Sequence, residues 1–319
     1  MTDNILQVKV PSLSVVVPVY QCVGCLEALC DRLELALSAL TSKFEIILVD
    51  DRSHDDSWKK IVELRKCHPA VTGIRLSRNF GQHRAILAGV EEAQGDVVVV
   101  MDCDLQDPPE KIAALYEKFQ QGYEIVVGRR ISRSHSYFRV RAAGLFFSLL
   151  NRISDQKYDG SFGSFAMLSR KAVNEFLRFR ERDRHFQLIL SWIGFDRGIV
   201  DYEHQPREAG QSSYTIGRLL RHAGDGIFFQ STGFLKWVVG LGLVYAACGL
   251  LLALFLSVRA TFDNVPTGWT SLAVLMMINT GGVLVSIGIV GLYIGKIFDQ
   301  VKERPLFIVD ERLHREKQW

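Results

Sequence analysis

The chain has 319 residues, 48% of them hydrophobic and 23% charged, with a formal net charge of +3. That composition is too apolar for a disordered protein and the length exceeds one average domain, so a soluble domain plus a further part is expected. The basic residues are scattered through the soluble part without the long runs of a nucleic-acid-binding tail, so no nucleic-acid partner is expected.

The N-terminal stretch MTDNILQVKVPS has no apolar region with a cleavage site, and the soluble part is read as cytosolic. Apolar, β-branched runs follow at 13–19 (LSVVVPV), 45–49 (EIILV), 73–76 (GIRL), 96–101 (DVVVVM) and 124–128 (EIVVG). Helix-like stretches at 24–40, 57–66, 82–93 and 109–121 separate them. Continuous apolar strands alternating with helices predict a parallel sheet covered on both faces. In such sheets ligands bind beyond the carboxyl ends of the strands. Six cysteines, at 22, 25, 30, 67, 103 and 248, include one close pair, Cys22-Val-Gly-Cys25. With no second such pair and no suitably spaced histidines, they read as reduced, partly buried thiols and not as a zinc site.

The residues just past the strands should converge on one crevice. After the first strand comes Pro18-Val-Tyr20, after the second Asp50-Asp51-Arg-Ser53-His-Asp55-Asp56-Ser57, and after the fourth Asp102-Cys-Asp104-Leu-Gln106-Asp107. Carboxylates spaced i, i+2 at a strand end can hold a hard divalent cation through oxygens and leave positions for water and a substrate's phosphates. Asp107 is read as capping a helix that begins at Pro108-Pro109, and Asp55 or Asp56 as capping the helix before it.

Further on, residues 134–154 mix Phe138, Leu145, Phe146, Leu149 and Leu150 with Arg139, Arg141 and Arg152, the pattern of an amphipathic helix at a membrane surface. From Trp237 to Val258 run 22 residues without a charge, and from Trp269 to Gly295 another 27. Each is long enough to cross a hydrocarbon core of about 30 Å, and the short connection holding Asn264, Pro266 and Gly268 predicts a transmembrane hairpin. Arg218, Arg221 and Lys236 precede the first span, and Lys296, Lys302, Arg304, Arg312 and Arg315 follow the second, against Arg259 alone between them. Both termini are therefore expected in the cytosol. Asn279, Gly281 and Gly282 inside the second span suggest close packing with the first span or with a second copy of the chain.

"SVVVPVY", "VDDRSHDDS" and "MDCDLQDPPE" resemble the nucleotide-sugar-binding segments of family-2 glycosyltransferases of the GT-A fold. The chain is most similar to the polyprenyl-phosphate branch, which also carries an RxxGxSxY segment, here Arg207-Glu-Ala-Gly210-Gln-Ser212-Ser-Tyr214, followed by membrane helices. The resemblance covers nearly the whole chain. It implies an α/β fold with a Rossmann-like, mostly parallel sheet as a cytosolic catalytic domain over 1–212, then a juxtamembrane amphipathic helix over 213–232, two transmembrane helices within 233–298 and a cytosolic tail over 299–319.

The same resemblance implies a nucleotide pocket lined by Pro18, Tyr20, Asp50, Asp51, Ser53 and Asp102, with Arg207 and Ser212 from the late segment. Asp102, Asp104 and Gln106 would hold Mg²⁺ or Mn²⁺, and Arg129 and Arg139 match arginines that face phosphates. Ala143 stands where a serine is common. Ser164 stands where related enzymes carry an acidic residue regarded as the base, which leaves Asp159 as the nearest carboxylate for a catalytic role. The implied reaction is inverting transfer of a sugar from a UDP- or GDP-linked donor to a polyprenyl phosphate at a bacterial inner membrane. Two alternatives stand beside it: a family-2 transferase with a glycan acceptor, and a non-catalytic membrane scaffold that binds nucleotide sugar. A processive polymerase is disfavoured, because "HFQLILSW" lacks the arginine of a QxxRW segment.

Overall fold

The computed structural model describes residues 11–131, 162–182, 184–203 and 268–313, together with isolated helical positions between 240 and 258. The chain divides into two units, one drawn from 1–136, 159–212 and 304–319, the other from 137–158 and 213–303.

The first unit is built on an eight-stranded sheet. In chain order it comprises β1 (Leu13–Val19), α1 (Leu26–Ser38), β2 (Phe44–Asp50), α2 (Ser57–Cys67), β3 (Val71–Leu76), α3 (Gln82–Glu92), β4 (Val97–Val100), a short 3₁₀ turn (Pro109–Lys111), α4 (Ile112–Phe119), β5 (Ile125–Ile131), β6 (Phe162–Ser169), α5 (Arg170–Arg178), α6 (Phe186–Ile193) and β7 (Arg197–Glu203), with β8 (Val309–Leu313) added last. The sheet order is β7-β5-β6-β4-β1-β2-β3-β8. Valine and isoleucine crowd the central strands because branched side chains fill the pleated surface well.

All of β1 is buried, since helices cover both of its faces. Val15, Val17 and Val19 meet Leu26, Leu29, Leu33 and Leu37 of α1 and Ile61 of α2 on one face. Val16 meets Ala85, Ile86 and Val90 of α3, within the layer that also holds Val173 and Phe176 of α5, on the other. Cys22, Cys25 and Cys30 are buried as thiols.

The expected strands form, but the sheet is mixed where a parallel one was predicted. β1 pairs in parallel with β2 and β4, and β2 with β3. β6 lies between β4 and β5 and runs antiparallel to both, and β8 runs antiparallel to β3. Strands β6, β7 and β8 were not expected. In β7 the burial alternates around charged residues, and β8 (VDERL) is charged at three of five positions, so neither resembles a buried apolar run. Charge suits an edge strand because it discourages further pairing. The segment 299–319, expected as a tail, thus contributes a strand to the sheet.

In the second unit, α7 (Trp269–Val301) is one continuous helix of 33 residues. Its portion Asn279–Val301 is long and apolar enough to cross a membrane, with a mean hydropathy of 1.8. The first expected span, 237–258, lies mostly outside the described residues. The juxtamembrane segment 213–232 and the amphipathic segment 134–154 lie wholly outside them.

Helix α3 lies tight against the sheet at Gly89, where a Cβ would stand 2.3 Å from Cγ1 of Val16 and 3.0 Å from Cγ2 of Val49. Both neighbours are β-branched and locked in central strands, so the helix must lift to admit a methyl group. Gly89→Ala should lower the thermal midpoint, with overpacking of about 1–3 kcal/mol outweighing the ~1 kcal/mol gain in helix propensity. Thermal unfolding of the first unit, followed by circular dichroism of the full chain in detergent, checks this.

Candidate active site

Three strand ends carry the expected residues. The backbone N–H of Asp51 donates to the Val19 carbonyl at 2.9 Å and that of Met101 to the Val16 carbonyl at 3.1 Å, so the loops leave β2 and β4 on either side of β1. Pro18 is buried within β1, and Tyr20 follows it with 39% of its surface exposed and its ring edge-on to His54 at 6.4 Å.

The loop after β2 is held by its own carboxylates. Asp50 is fully buried, and its Oδ1 accepts the Ser53 N–H at 3.0 Å. The Asp51 oxygens accept the backbone N–H groups of Phe80 at 2.7 Å and Gly81 at 2.8 Å, which ties this loop to the one after β3. Ser53 Oγ accepts the Gln21 N–H at 3.1 Å, joining it to the loop after β1. Asp55 accepts the Ser57 N–H at 3.2 Å in a side-chain turn, whereas the neighbouring Asp56 caps α2 without a side-chain hydrogen bond.

The acidic loop after β4 turns through Leu105, whose φ of 59° is left-handed and whose side chain is buried. That conformation costs a non-glycine residue about 1 kcal/mol or more and persists because the side chain is anchored. Asp104 Oδ1 accepts the Gln106 N–H at 3.2 Å across the turn. Asp102 Oδ1 accepts from Gln82 Nε2 at 2.7 Å, and the same amide nitrogen donates to Ser164 Oγ at 3.0 Å.

Asp107 does not cap a helix; the 3₁₀ turn that follows is preceded by Pro108 with no side-chain cap. It is fully buried instead, accepting the Tyr202 hydroxyl at 2.5 Å and Arg130 Nη2 at 3.2 Å on both oxygens. Arg130 Nε also donates to the Tyr202 oxygen at 3.1 Å, and Nη2 lies 3.7 Å from Asp102 Oδ2. Gly163 leaves the room this guanidinium occupies, since a Cβ there would stand 2.5 Å from Arg130 Nη2.

Adjacent arginines on β5 point to opposite faces. Arg129, the one expected at the phosphates, makes a bidentate pair with Asp201 across β7, at 2.6 and 2.8 Å. Arg139, Asp159, Arg207 and Ser212 lie outside the described residues. Three groups were not named as site residues from the sequence: Gln82, Arg130 and Tyr202. Gln82 sits in "SRNFGQHR", the polar run just past β3, which the strand-end rule already points to.

Burial first, and the neighbouring Asp50 carboxylate after it, push Asp51 up to about 6, against two backbone N–H groups that pull it down. Burial and then the Asp107 and Asp104 carboxylates push Asp102 up to about 6 as well. Among the described residues no three His, Cys, Asp or Glu side chains form a closed metal-binding group. With Asp107 committed to Arg130 and Tyr202, Asp102 and Asp104 remain as neighbouring hard oxygen donors, and the Asp102 side chain is 25% exposed. Two carboxylates that crowd each other past a strand end, Asp104 buried and Asp102 partly exposed, fit Mg²⁺ or Mn²⁺, ions that keep water and substrate phosphates in their remaining positions.

The raised pKa of Asp51 has a thermodynamic sign. Between its ordinary value of 3.8 and about 6 the folded chain retains a proton that the unfolded chain has lost, so this group's contribution to stability falls as pH rises through that window. In a chelating buffer, the stability of the unaltered protein relative to Asp51→Asn should decline by about 2 kcal/mol from pH 4 to pH 6.5, at ~1.4 kcal/mol per unit over the part of the window that range spans. Parallel thermal midpoints of the two proteins across that range measure it.

Residues 14–177 match the family Glycosyl transferase family 2. The SfII prophage-derived bactoprenol glucosyl transferase of Shigella flexneri is 35% identical over 273 residues, 85% of this chain and 88% of that one. The undecaprenyl-phosphate 4-deoxy-4-formamido-L-arabinose transferase of Photorhabdus laumondii subsp. laumondii is 32% identical over 308 residues, 95% of this chain and 94% of that one. Among solved structures, the mannosyltransferase PcManGT from Pyrobaculum calidifontis in complex with GDP-Man and Mn²⁺ is 16% identical, covers 92% of this chain and 88% of that one, and gives a TM-score of 0.49. With its mixed α/β sheet and its carboxylates gathered past β2 and β4, the chain is a glycosyltransferase and belongs to glycosyl transferase family 2.

Proposed function

We propose that the protein transfers a sugar from a UDP- or GDP-linked donor to a membrane polyprenyl phosphate, with inversion, giving a polyprenyl-monophosphate sugar and a nucleoside diphosphate. The observation that carries this reading is the continuous chain of contacts from Asp51 through Gly81 and Gln82 to Asp102, which joins the loop after β2 to the acidic loop after β4. Such a chain fits one elongated, doubly anionic ligand lying across the carboxyl end of the sheet. The acceptor is inferred from the two relatives, whose names specify bactoprenol and undecaprenyl phosphate.

Pro18, Tyr20, Asp50, Asp51 and Ser53 would line the nucleotide half of the site, with Arg207 and Ser212 from the later segment. Asp102, Asp104 and Gln106 would hold Mg²⁺ or Mn²⁺, which supplies positive charge against the departing diphosphate. Gln82 orients Asp102 through its amide. A phosphate oxygen of the lipid forms the new bond to the anomeric carbon as the bond to the diphosphate breaks on the opposite side. The lipid phosphate is already ionised near neutral pH, so orientation and charge compensation suffice, and Ser164 in place of an acidic residue is compatible with turnover. Arg139 would face the phosphates, and Arg129, which lies on the face of β5 away from Arg130, would have to leave its exposed pair with Asp201 to join it.

The acceptor's location follows from the membrane reading. Since β8 follows α7 in the chain yet joins the sheet of β1, a single crossing by α7 would leave β8 on the wrong side. A second crossing at 237–258 resolves this, which supports a multi-pass hairpin with the catalytic unit and both termini on the cytosolic side of a bacterial inner membrane. The glycines of α7 are consistent with self-association there.

Purified protein in detergent, given radiolabelled nucleotide sugars and undecaprenyl phosphate, should move label into the lipid phase. A chelator should abolish transfer, and Asp104→Ala should reduce it about 100-fold or more. Soluble turnover without labelled lipid would assign a different acceptor, and no turnover with any donor would leave a scaffold.

Asp159→Asn separates two roles for the nearest upstream carboxylate. A base or orienting group would cost about 100-fold in kcat, as general acid–base catalysis typically does. Undiminished turnover in the same lipid-transfer assay would make it a turn residue before Gly160.

A further inference from the structure

The strand that follows the membrane helix touches the nucleotide half of the site. β8 pairs antiparallel with β3, with Glu311 opposite Arg75, and the Ser77 N–H donates to the Ile308 carbonyl at 2.9 Å. The register shifts between Arg75 and Leu76, so Asp310 is an extra residue, a bulge. Bulges re-aim side chains and recur beside active sites. Here Asp310 pairs with Arg52, which stands in left-handed backbone with φ of 57° inside the loop after β2.

Glu311 is held more closely still. One oxygen accepts from Trp58 Nε1 at 3.1 Å and the other from Arg75 Nη1 at 3.1 Å. The Arg75 guanidinium lies over the Trp58 ring at 5.7 Å, and its Nε is 3.5 Å from Asp50 Oδ2. Neither Asp50 Oδ2 nor Arg75 Nε makes a hydrogen bond, although both are buried. Arg75 is thus stretched between two carboxylates, closely bonded to the one on β8 and only electrostatically to the one at the end of β2. Loss of the Glu311 charge would leave the guanidinium to Asp50 alone, and Asp50 carries the Ser53 amide with it.

We propose that Glu311 and Asp310 are positioning residues for the donor: through Arg75 and Arg52 they fix Asp50 and the 50–57 loop, so that the nucleotide site is complete only when the segment beyond α7 is docked. This rests on the reading of that loop as the nucleotide half of the site. The charge pattern of β8 then has two uses. Asp310 and Glu311 face the loop after β2 and its arginine partners, whereas Arg312 turns to Glu92 of α3 at 3.8 Å.

The test uses the full chain in detergent with Mn²⁺, and UDP and GDP as probes. Glu311→Gln keeps the strand and its shape while removing the charge. It should weaken the binding of whichever nucleoside diphosphate the unaltered protein takes by about fivefold or more, and raise the donor KM alike, with kcat at saturating donor and the thermal midpoint nearly unchanged. Arg312→Gln, on the same strand, should leave nucleotide affinity unaltered. Adding Arg75→Gln to Glu311→Gln should cost little beyond either change alone, as expected of residues acting through one path. Unchanged affinity in Glu311→Gln would overturn the proposal, as would an equal loss in Arg312→Gln, which would mean that strand stability alone is felt. Failure of the unaltered protein to bind either UDP or GDP would instead remove the nucleotide reading beneath it.

Discussion

Asp107 is a carboxylate with no exposure at all, met there by the Arg130 guanidinium from β5 and the Tyr202 hydroxyl from β7. Taking such a pair out of water costs several kcal/mol per ion, so the arrangement is a poor device for stability. Its consequence is geometric. It draws β5 and β7 to the loop after β4, and it consumes one of three closely spaced acids. Asp102 and Asp104 are left side by side where their mutual repulsion favours a cation. Arg130 moderates that repulsion from 3.7 Å without reaching hydrogen-bonding distance of Asp102.

The remaining loops are fixed by the same means, side-chain oxygens accepting backbone N–H groups from a neighbouring loop. Asp51 on Phe80 and Gly81, Ser53 on Gln21, and Ser57 on Cys22 each bind segments far apart in sequence. Every such bond removes an orphan donor from a loop that packs beside the sheet, which is why irregular backbone is tolerated there. It also sets the site before any ligand arrives. Preorganised dipoles need no rearrangement when charge develops, which is usually the largest single contribution to an enzyme's rate.

Much of this was legible from the residues. All five expected strands coincide with β1 to β5, β1 to β4 to within about two residues and β5 to within about three, because continuous runs such as VVVV at 97–100 have no other stable environment. The strand-end rule then placed Pro18, Tyr20, Asp50, Asp51, Ser53, Asp102 and Asp104 together. What it missed depends on partners. The capping expectation for Asp107 was sound as local chemistry, an acid before Pro-Pro, but a helix end offers less than a buried arginine does. Arg130 was indistinguishable from Arg129 in sequence, since only the pleat decides which side chain faces the acids. The edge strands were hidden by their charges, and β6 by its serines and by Gly163, whose small size is what admits Arg130.

The least local of these features is β8. Arg75 and Glu311 are 236 residues apart, so the edge of the sheet beside β3 stays open until almost the whole chain has been made. Closing so long a loop is slow on entropic grounds, and an open apolar edge is a hazard in the meantime. The proposed membrane hairpin between the two strands would change that balance. Once inserted, it would hold the segment beyond it near the membrane face that carries β3, and the search for β3 would take place at high effective concentration. In this reading the charged strand and the apolar helix before it are parts of one solution: the helix brings the strand back, and the strand's carboxylates, through Arg52 and Arg75, make its return felt at the donor site.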